Sequence, residues 1–351
     1  MLTSLFLLLL ASEAAYSTRN DPVVNLPMGR IRGFRKTIIR KNLNVFLGIP
    51  FAKPPLGDLR YKKPVEIDKY REEIVADTMP KACFQIDPFT PDGAEYYKRL
   101  NMSEDCLYLN IWVPVTKKLN TEPKSVLVWI YGGGFTQGST SGQWYNGQVI
   151  AARGDVIVAS MNYRSLDTAQ RFAQKANCAS PNLNITKNPN AILNCLRSKS
   201  PEELSVAEYD MRGNRRIYGQ FQPVIGEDFL PYRNFNPFVP GHINDRNIMI
   251  GITANDGQSF VFDYFREFIG NPNVTKTMAY DAMIPFLTEI GRLDNVKEKL
   301  DYYFRGVIED DIFQVKRAMG RVFTDWMFKC PSQEFADIFT RRDKPRVLLL
   351  L

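Results

Sequence analysis

The order of apolar and polar positions predicts strands alternating with helices. Residues 22–35 read as a hairpin of short β stretches turning at Met28-Gly29. Asn44 to Pro50 reads as another strand, closed by the proline-rich turn from Ala52 to Gly57. Leu107 to Val113 has the alternating character of a half-buried strand. Val126 to Tyr131 is apolar throughout, which suits the middle of a sheet, and runs straight into Gly132-Gly133-Gly134. Val156 to Met161 and Asn247 to Thr253 read as two further buried strands. Between them, Asp167 to Ala176 is helix-like and leads to Cys178; a polar, asparagine-rich loop then runs to Cys195. Two or three helices are predicted between 259 and 340, and Arg346 to Leu351 begins a fourth apolar strand. No internal repeat or low-complexity linker breaks this order.

Composition narrows the class. The 351 residues suffice for one large α/β domain or two ordinary ones. At 44% hydrophobic and 24% charged, the chain is globular in character. The net charge of +7 is scattered apart from the run Arg30, Arg32, Arg35, Lys36, Arg40 and Lys41, and reads as solvated surface. No basic stripe accompanies a recognition motif, so nucleic acid is not an expected partner. A single histidine and the lack of Cys-x-x-Cys argue against a zinc site, and no cofactor is expected.

Leu5 to Leu10 form a short apolar core followed by Ser12-Glu13-Ala14, the pattern of a signal peptide over residues 1–14. That core is too short to span a membrane, and no other run is long enough. Asn101-Met-Ser, Asn184-Ile-Thr and Asn273-Val-Thr are glycosylation sequons. A secreted, extracellular chain is therefore expected, with its five cysteines read as disulfide partners rather than metal ligands.

A strand leading into Gly132-Gly133-Gly134-Phe135 has chemical potential. Glycines let backbone N–H groups approach a ligand closely and point the same way. Such donors stabilise the oxyanion of acyl transfer by a few kcal/mol each, roughly. An isolated glycine triplet is more often a tight turn, but its neighbours change the reading. Phe46-Leu-Gly-Ile-Pro-Phe-Ala-Lys-Pro-Pro-Leu-Gly-Asp-Leu-Arg60, Ser103-Glu-Asp-Cys-Leu-Tyr-Leu-Asn-Ile-Trp-Val-Pro114, Val126 to Phe135 and Val158-Ala-Ser-Met-Asn-Tyr-Arg164 resemble the type-B carboxylesterase/cholinesterase family in order and approximate spacing. The likeness runs from about Val24 to the last residue, and its N-terminal part is more similar to acetylcholinesterases than to liver-type carboxylesterases. The resemblance implies an α/β-hydrolase fold and a Ser–Glu/Asp–His triad acting on small esters. It puts Gly133 and Gly134 in the oxyanion loop and Asp256, in Asn255-Asp256-Gly257, in the place of the acid. Read from the residues alone, Asn-Asp-Gly is also a good turn sequence. The resemblance pairs Cys83 with Cys106 and Cys178 with Cys195, implies a buried Arg60–Glu104 ion pair, and leaves Cys330 an odd thiol. Tyr96 or Tyr97 falls near a tryptophan whose ring holds quaternary ammonium in cholinesterases, a weaker cation–π candidate than an ordinary loop tyrosine is a default. Ile217 and Gly219 match two aromatic positions of the acyl pocket, implying a roomier one in any full-length relative.

Two parts of the family pattern are missing. No Gly-x-Ser-x-Gly nucleophile elbow occurs; Gly138-Ser-Thr-Ser-Gly142 has the glycine spacing but Thr140 at its centre, and reads as a flexible loop. In the family a long stretch with two central strands and the nucleophile follows Asn162-Tyr163-Arg164; here Arg164 joins Ser165 directly. His242 precedes Asp256, against the family's order, and reads as a surface residue. The expectation is a partial α/β-hydrolase domain over 15–351 with an internal deletion near 164/165, its last strand truncated, unable to hydrolyse esters. Two alternatives stay open: a true ester hydrolase whose missing segments were lost from the record, and a non-catalytic adhesion or binding relative. The oligomeric state is left open.

Overall fold

The structure, a computed structural model, describes residues 21–85, 100–115, 123–135, 137–163, 169–180, 182–211, 247–268, 270–289, 294–340 and 347–350. The described residues fall into two compact units, one ending at 211 and one beginning at 247. Sheets and helices mix in both, in keeping with the α/β-hydrolase fold.

In the first unit, β1 (Val23–Leu26) and β2 (Gly29–Arg32) form the predicted hairpin, with Leu26 opposite Gly29. A second hairpin follows, which the sequence reading missed: β3 (Phe34–Ile38) pairs antiparallel with β4 (Lys41–Pro50). Short strands β5 (Ile74–Val75), β6 (Ala82–Cys83) and β7 (Met102–Ser103) lie outside the main sheet. That sheet adds β8 (Tyr108–Pro114), β9 (Val126–Trp129) and β10 (Ile157–Met161), in the order β3-β4-β8-β10-β9. All neighbours are antiparallel except β10 and β9, which run parallel and therefore need a crossover. The crossover carries the glycine loop and helix α1 (Gln148–Gly154). Ala151 and Ala152 of α1 pack on Leu43, Val45, Trp112 and Val158 to form the core beneath the sheet. Small alanines on the helix face make room for the Trp112 indole, which is 1% exposed.

Helix α2 (Ala169–Lys175) leads to Cys178. The polar segment that follows is not a loop all the way to Cys195. Helix α3 (Pro189–Ser198) includes that cysteine, because Pro189 sits at the helix start and Ile192 and Leu196 share one buried face. Helix α4 (Pro201–Met211) completes this cluster with Leu204, Ala207 and Met211.

The second unit contains β11 (Ile248–Gly251), which pairs parallel with β12 (Val347–Leu350). Between them lie α5 (Gln258–Tyr264), α6 (Lys276–Glu289), α7 (Val296–Tyr303), α8 (Ile312–Thr324) and α9 (Cys330–Thr340), more helices than the two or three expected. Met283, Leu287, Leu300, Phe304, Met319 and Phe323 fill the space between them. Asp311 starts α8 by accepting from the N–H groups of Phe313 (3.1 Å) and Gln314 (3.0 Å).

One expectation fails informatively. The apolar run Val126 to Tyr131 suits the middle of a sheet, yet β9, Val126–Trp129, is an edge strand among the described residues, with every residue exposed. Val126, Val128 and Ile130 are 59%, 52% and 66% exposed. The run has the composition of a strand paired on both sides, but among the described residues β10 alone pairs with it. Likewise β11 is half exposed rather than buried, with β12 on one side only among the described residues. An edge this apolar, with no lysine or proline within it, is prone to association. Val128→Lys is expected to raise the concentration at which the protein aggregates, measured by light scattering. As an exposed substitution it should alter stability by no more than about 0.5 kcal/mol.

Candidate functional site

The glycine loop leaves β9 through Tyr131. Gly133 (φ 146°) and Gly134 (φ 59°) adopt conformations that disfavour side chains. A Cβ on Gly133 would also lie 2.0 Å from the Gln137 carbonyl. The loop closes on itself where the Gln137 N–H donates to the Gly133 carbonyl (3.1 Å). Tyr131 is buried and stacks on Tyr163, with ring centroids 4.7 Å apart. The Tyr163 hydroxyl donates to the Tyr131 carbonyl (2.7 Å), pinning the stem of the loop.

Its far side is held by buried polar side chains. Asn162 Oδ1 accepts from the Thr140 N–H (2.9 Å), while its Nδ2 donates to the Lys81 (3.0 Å) and Cys106 (2.9 Å) carbonyls. Asn110 Nδ2 donates to Thr140 Oγ1 (3.2 Å) and its Oδ1 accepts from the Gly48 N–H (2.9 Å). Thr140 also contacts the Ser160 hydroxyl. Gln85 donates to the Gly138 carbonyl (2.9 Å) and accepts from the Gly138 N–H (2.7 Å). Ser139, Thr140, Asn110, Ser160 and Asn162 are all fully buried. The segment Gly138–Gly142 is therefore not the flexible loop that its glycines suggested; its hydroxyls and amides share in satisfying the buried polar groups at the end of the sheet. The signal was present in the sequence as polar residues, Asn110 and Ser160, inside otherwise apolar strands.

Below the loop, Arg60 pairs with Glu104 as expected, the two side chains being 12% and 11% exposed. The same guanidinium donates to the carbonyls of Leu196 (3.3 Å), Arg197 (3.0 Å) and Lys199 (2.7 Å). It thereby caps the C-terminus of α3, where a cation is favoured by the helix dipole. Both disulfides form, Cys83–Cys106 and Cys178–Cys195, and Cys330 is an exposed free thiol. Burial, and then Asp105, push the Tyr108 phenol up to about 12; its hydroxyl donates to Asp105 Oδ2 (2.9 Å).

Asp256 lies in the second unit, just after β11. Its Oδ2 accepts from the Thr253 N–H (2.8 Å) and its Oδ1 from the Thr253 hydroxyl (2.6 Å). Both carboxylate oxygens are thus engaged within the turn, the arrangement that Asn-Asp-Gly favours on its own. The next residue is constrained more tightly: a Cβ on Gly257 would sit 2.1 Å from the Thr324 nitrogen, so only glycine fits against α8. Asn101 and Asn273 are exposed and Asn184 half-buried. Tyr96, Tyr97, Ile217, Gly219, His242 and the Arg164–Ser165 junction lie outside the described residues, as does the segment 1–14. Among the described residues no group of three metal-ligating side chains occurs, and no helix is long and apolar enough to cross a membrane.

The sequence model of the Carboxylesterase family matches residues 20–166 and, separately, 165–347. The chain belongs to the carboxylesterase family. Among individual relatives of this carboxylesterase-family chain, a cholinesterase of Mus musculus is 27% identical over 430 residues, covering 95% of the chain and 70% of the relative. An acetylcholinesterase-1 of Trittame loki is 26% identical over 429 residues, with 92% and 74% covered. A local match is stronger: an acetylcholinesterase of Leptinotarsa decemlineata is 46% identical over 158 residues, 41% of the chain and 25% of the relative. The two long alignments exceed the 351 residues of the chain, so these relatives carry stretches with no counterpart in it.

Arg60→Met leaves the Glu104 carboxylate buried without its cation and should cost about 3–5 kcal/mol in urea unfolding. The double variant Arg60→Met, Glu104→Met removes both charges and should recover a large part of that loss. A single variant as stable as wild type would rule out a structural role for the pair.

Proposed function

We propose that this chain is a secreted, cholinesterase-like member of the carboxylesterase family that does not hydrolyse esters. One observation carries the reading: no Gly-x-Ser-x-Gly string lies between β10 and Asp256, where the order of an α/β-hydrolase puts the nucleophile. Gly133 and Gly134 take the part of oxyanion donors, Asp256 that of the acid, and Tyr96 that of a weak cation contact. Residues 1–14 act as the signal peptide and 15–351 as the partial domain, with Asn101, Asn184 and Asn273 as glycosylation sites. Without a nucleophile, oxyanion and binding effects alone leave at most ~10³–10⁴ over water in an intact scaffold.

Support for an internal deletion comes from two sides. The family matches meet at residues 165–166, next to the Arg164–Ser165 junction. The exposed apolar strand β9 is what a sheet leaves when its neighbour is gone. The same observations favour a second reading, an ester hydrolase whose elbow segment is absent from this sequence. Sequencing the transcript across Arg164–Ser165 separates the two, since an insert coding Gly-x-Ser-x-Gly would restore the hydrolase. The adhesion alternative is less well supported, because a binding relative of this kind keeps its whole sheet.

Treating the purified chain with a fluorophosphonate should give no adduct by intact mass spectrometry; a labelled serine would overturn the reading. Loss of two central strands should also broaden thermal unfolding. A sharp, cooperative transition by circular dichroism would count against the deletion as a defect in the fold.

A further inference from the structure

We propose that the tip of the β3–β4 hairpin docks the chain on a membrane containing anionic phospholipid, with Ile39 entering the headgroup layer. The inference uses the first unit alone and is independent of whether the chain hydrolyses esters.

The hairpin pairs as far as Ile38 opposite Lys41, so Ile39 and Arg40 form the turn between the strands. Both have a left-handed backbone, with φ of 48° and 61°. Two-residue turns of this hand ordinarily carry asparagine, aspartate or glycine, and a β-branched residue there is an outlier. Strain of this kind is retained where the residue has a use. The isoleucine gains no burial in return, being 54% exposed.

Around it the charge is one-sided. Arg35, Lys36, Arg40 and Lys41 are exposed, and no salt bridge among the described residues engages any of the four. The strand register brings further cations to the same end of the sheet. Leu43 lies opposite Pro114, and Trp112 opposite Val158, so the hairpin tip and the start of β10, with the C-terminal end of α1 just before it, lie at one end. Arg153 is exposed there, and Lys124 Nζ donates to Asp155 Oδ2 (2.7 Å). That hydrogen bond, and then the Lys124 and Lys41 charges, hold the Asp155 carboxyl below its ordinary range. Asp155 is the sole carboxylate within residues 34–50 and 148–161.

Cations on an edge strand guard it against pairing, which suffices for Arg35 and Lys36. It does not account for Ile39 and Arg40, which lie beyond the last pair of the ladder. An apolar side chain flanked by cations fits the boundary of an anionic bilayer, where the one meets the acyl edge and the others the lipid charge. A sulfated polysaccharide would engage the cations and leave Ile39 in water. The glycine loop follows β9 at the opposite end of the sheet, clear of the docked surface.

Flotation of the purified chain with phosphatidylcholine vesicles, with and without roughly 30% phosphatidylserine, tests the proposal. Binding is expected to the anionic vesicles alone, weakening as salt rises. Arg40→Ser combined with Lys41→Ser should weaken it about 25-fold, about fivefold for each cation. Lys297→Ser combined with Arg305→Ser removes the same charge from exposed positions of the second unit and should change binding by no more than about twofold. Ile39→Asn suits the left-handed turn, so it keeps the hairpin, and should weaken binding about fivefold through lost apolar contact. No flotation with anionic vesicles, equal flotation with neutral ones, or an equal loss in the second-unit pair overturns the proposal. Undiminished binding by Ile39→Asn overturns it as well, and retention of that variant on heparin would then assign the cations to a polysaccharide.

Discussion

Two buried asparagine side chains hold the strands and the glycine loop to one another. Asn110 lies in β8, and Asn162 follows β10 directly; together they reach Gly48, Lys81, Cys106 and the Thr140 segment. Amide groups buried this deeply are expensive unless satisfied, and here each finds partners on several chain segments. The conformation of the loop after Gly134 is therefore dictated from behind, by the sheet, rather than by the loop's own sequence. Stacking of Tyr131 on Tyr163 does the same for its stem. The scaffold around the glycine loop is thus complete and specific on the side facing β8 and β10.

The opposite side differs. β9 carries the glycine loop and among the described residues pairs with β10 along one edge only, and its apolar side chains are exposed. This asymmetry separates what the loop can present from what it can perform. Backbone donors need only a well-held turn, whereas acyl transfer needs a nucleophile delivered beside them. The first requirement is a property of the turn alone; the second is not.

Much of this was legible in the residues. The hairpin at Met28-Gly29, the apolar strands and the strand-to-glycine transition follow from period and turn chemistry. The Ser103–Pro114 string carried the family, and with it both disulfides and the Arg60–Glu104 pair. Misreadings had a common physical origin. An apolar run reports the surroundings for which a strand was selected, not the neighbours present, so Val126–Trp129 read as interior and stands at an edge. Gly138–Gly142 read as mobile because glycine and serine are loop residues, while its burial depends on partners at Asn110 and Asn162 more than twenty residues away in sequence. Cys195 read as loop because a proline and a disulfide hid a short amphipathic turn of helix. At Asp256 the residues alone left turn and acid side by side, and the hydrogen bonds to Thr253 show the turn geometry without bearing on the other role.

The exposed strand also has a meaning for the life of the chain in a cell. Molecules with an uncovered apolar edge are sorted by chaperones and proteases according to how often that edge is presented. For β9, at the edge of the sheet among the described residues, such presentation would be constant rather than a rare opening. The steady level of this protein would then follow the capacity of the quality-control machinery more closely than the rate of its synthesis. A covering partner would be felt first as abundance.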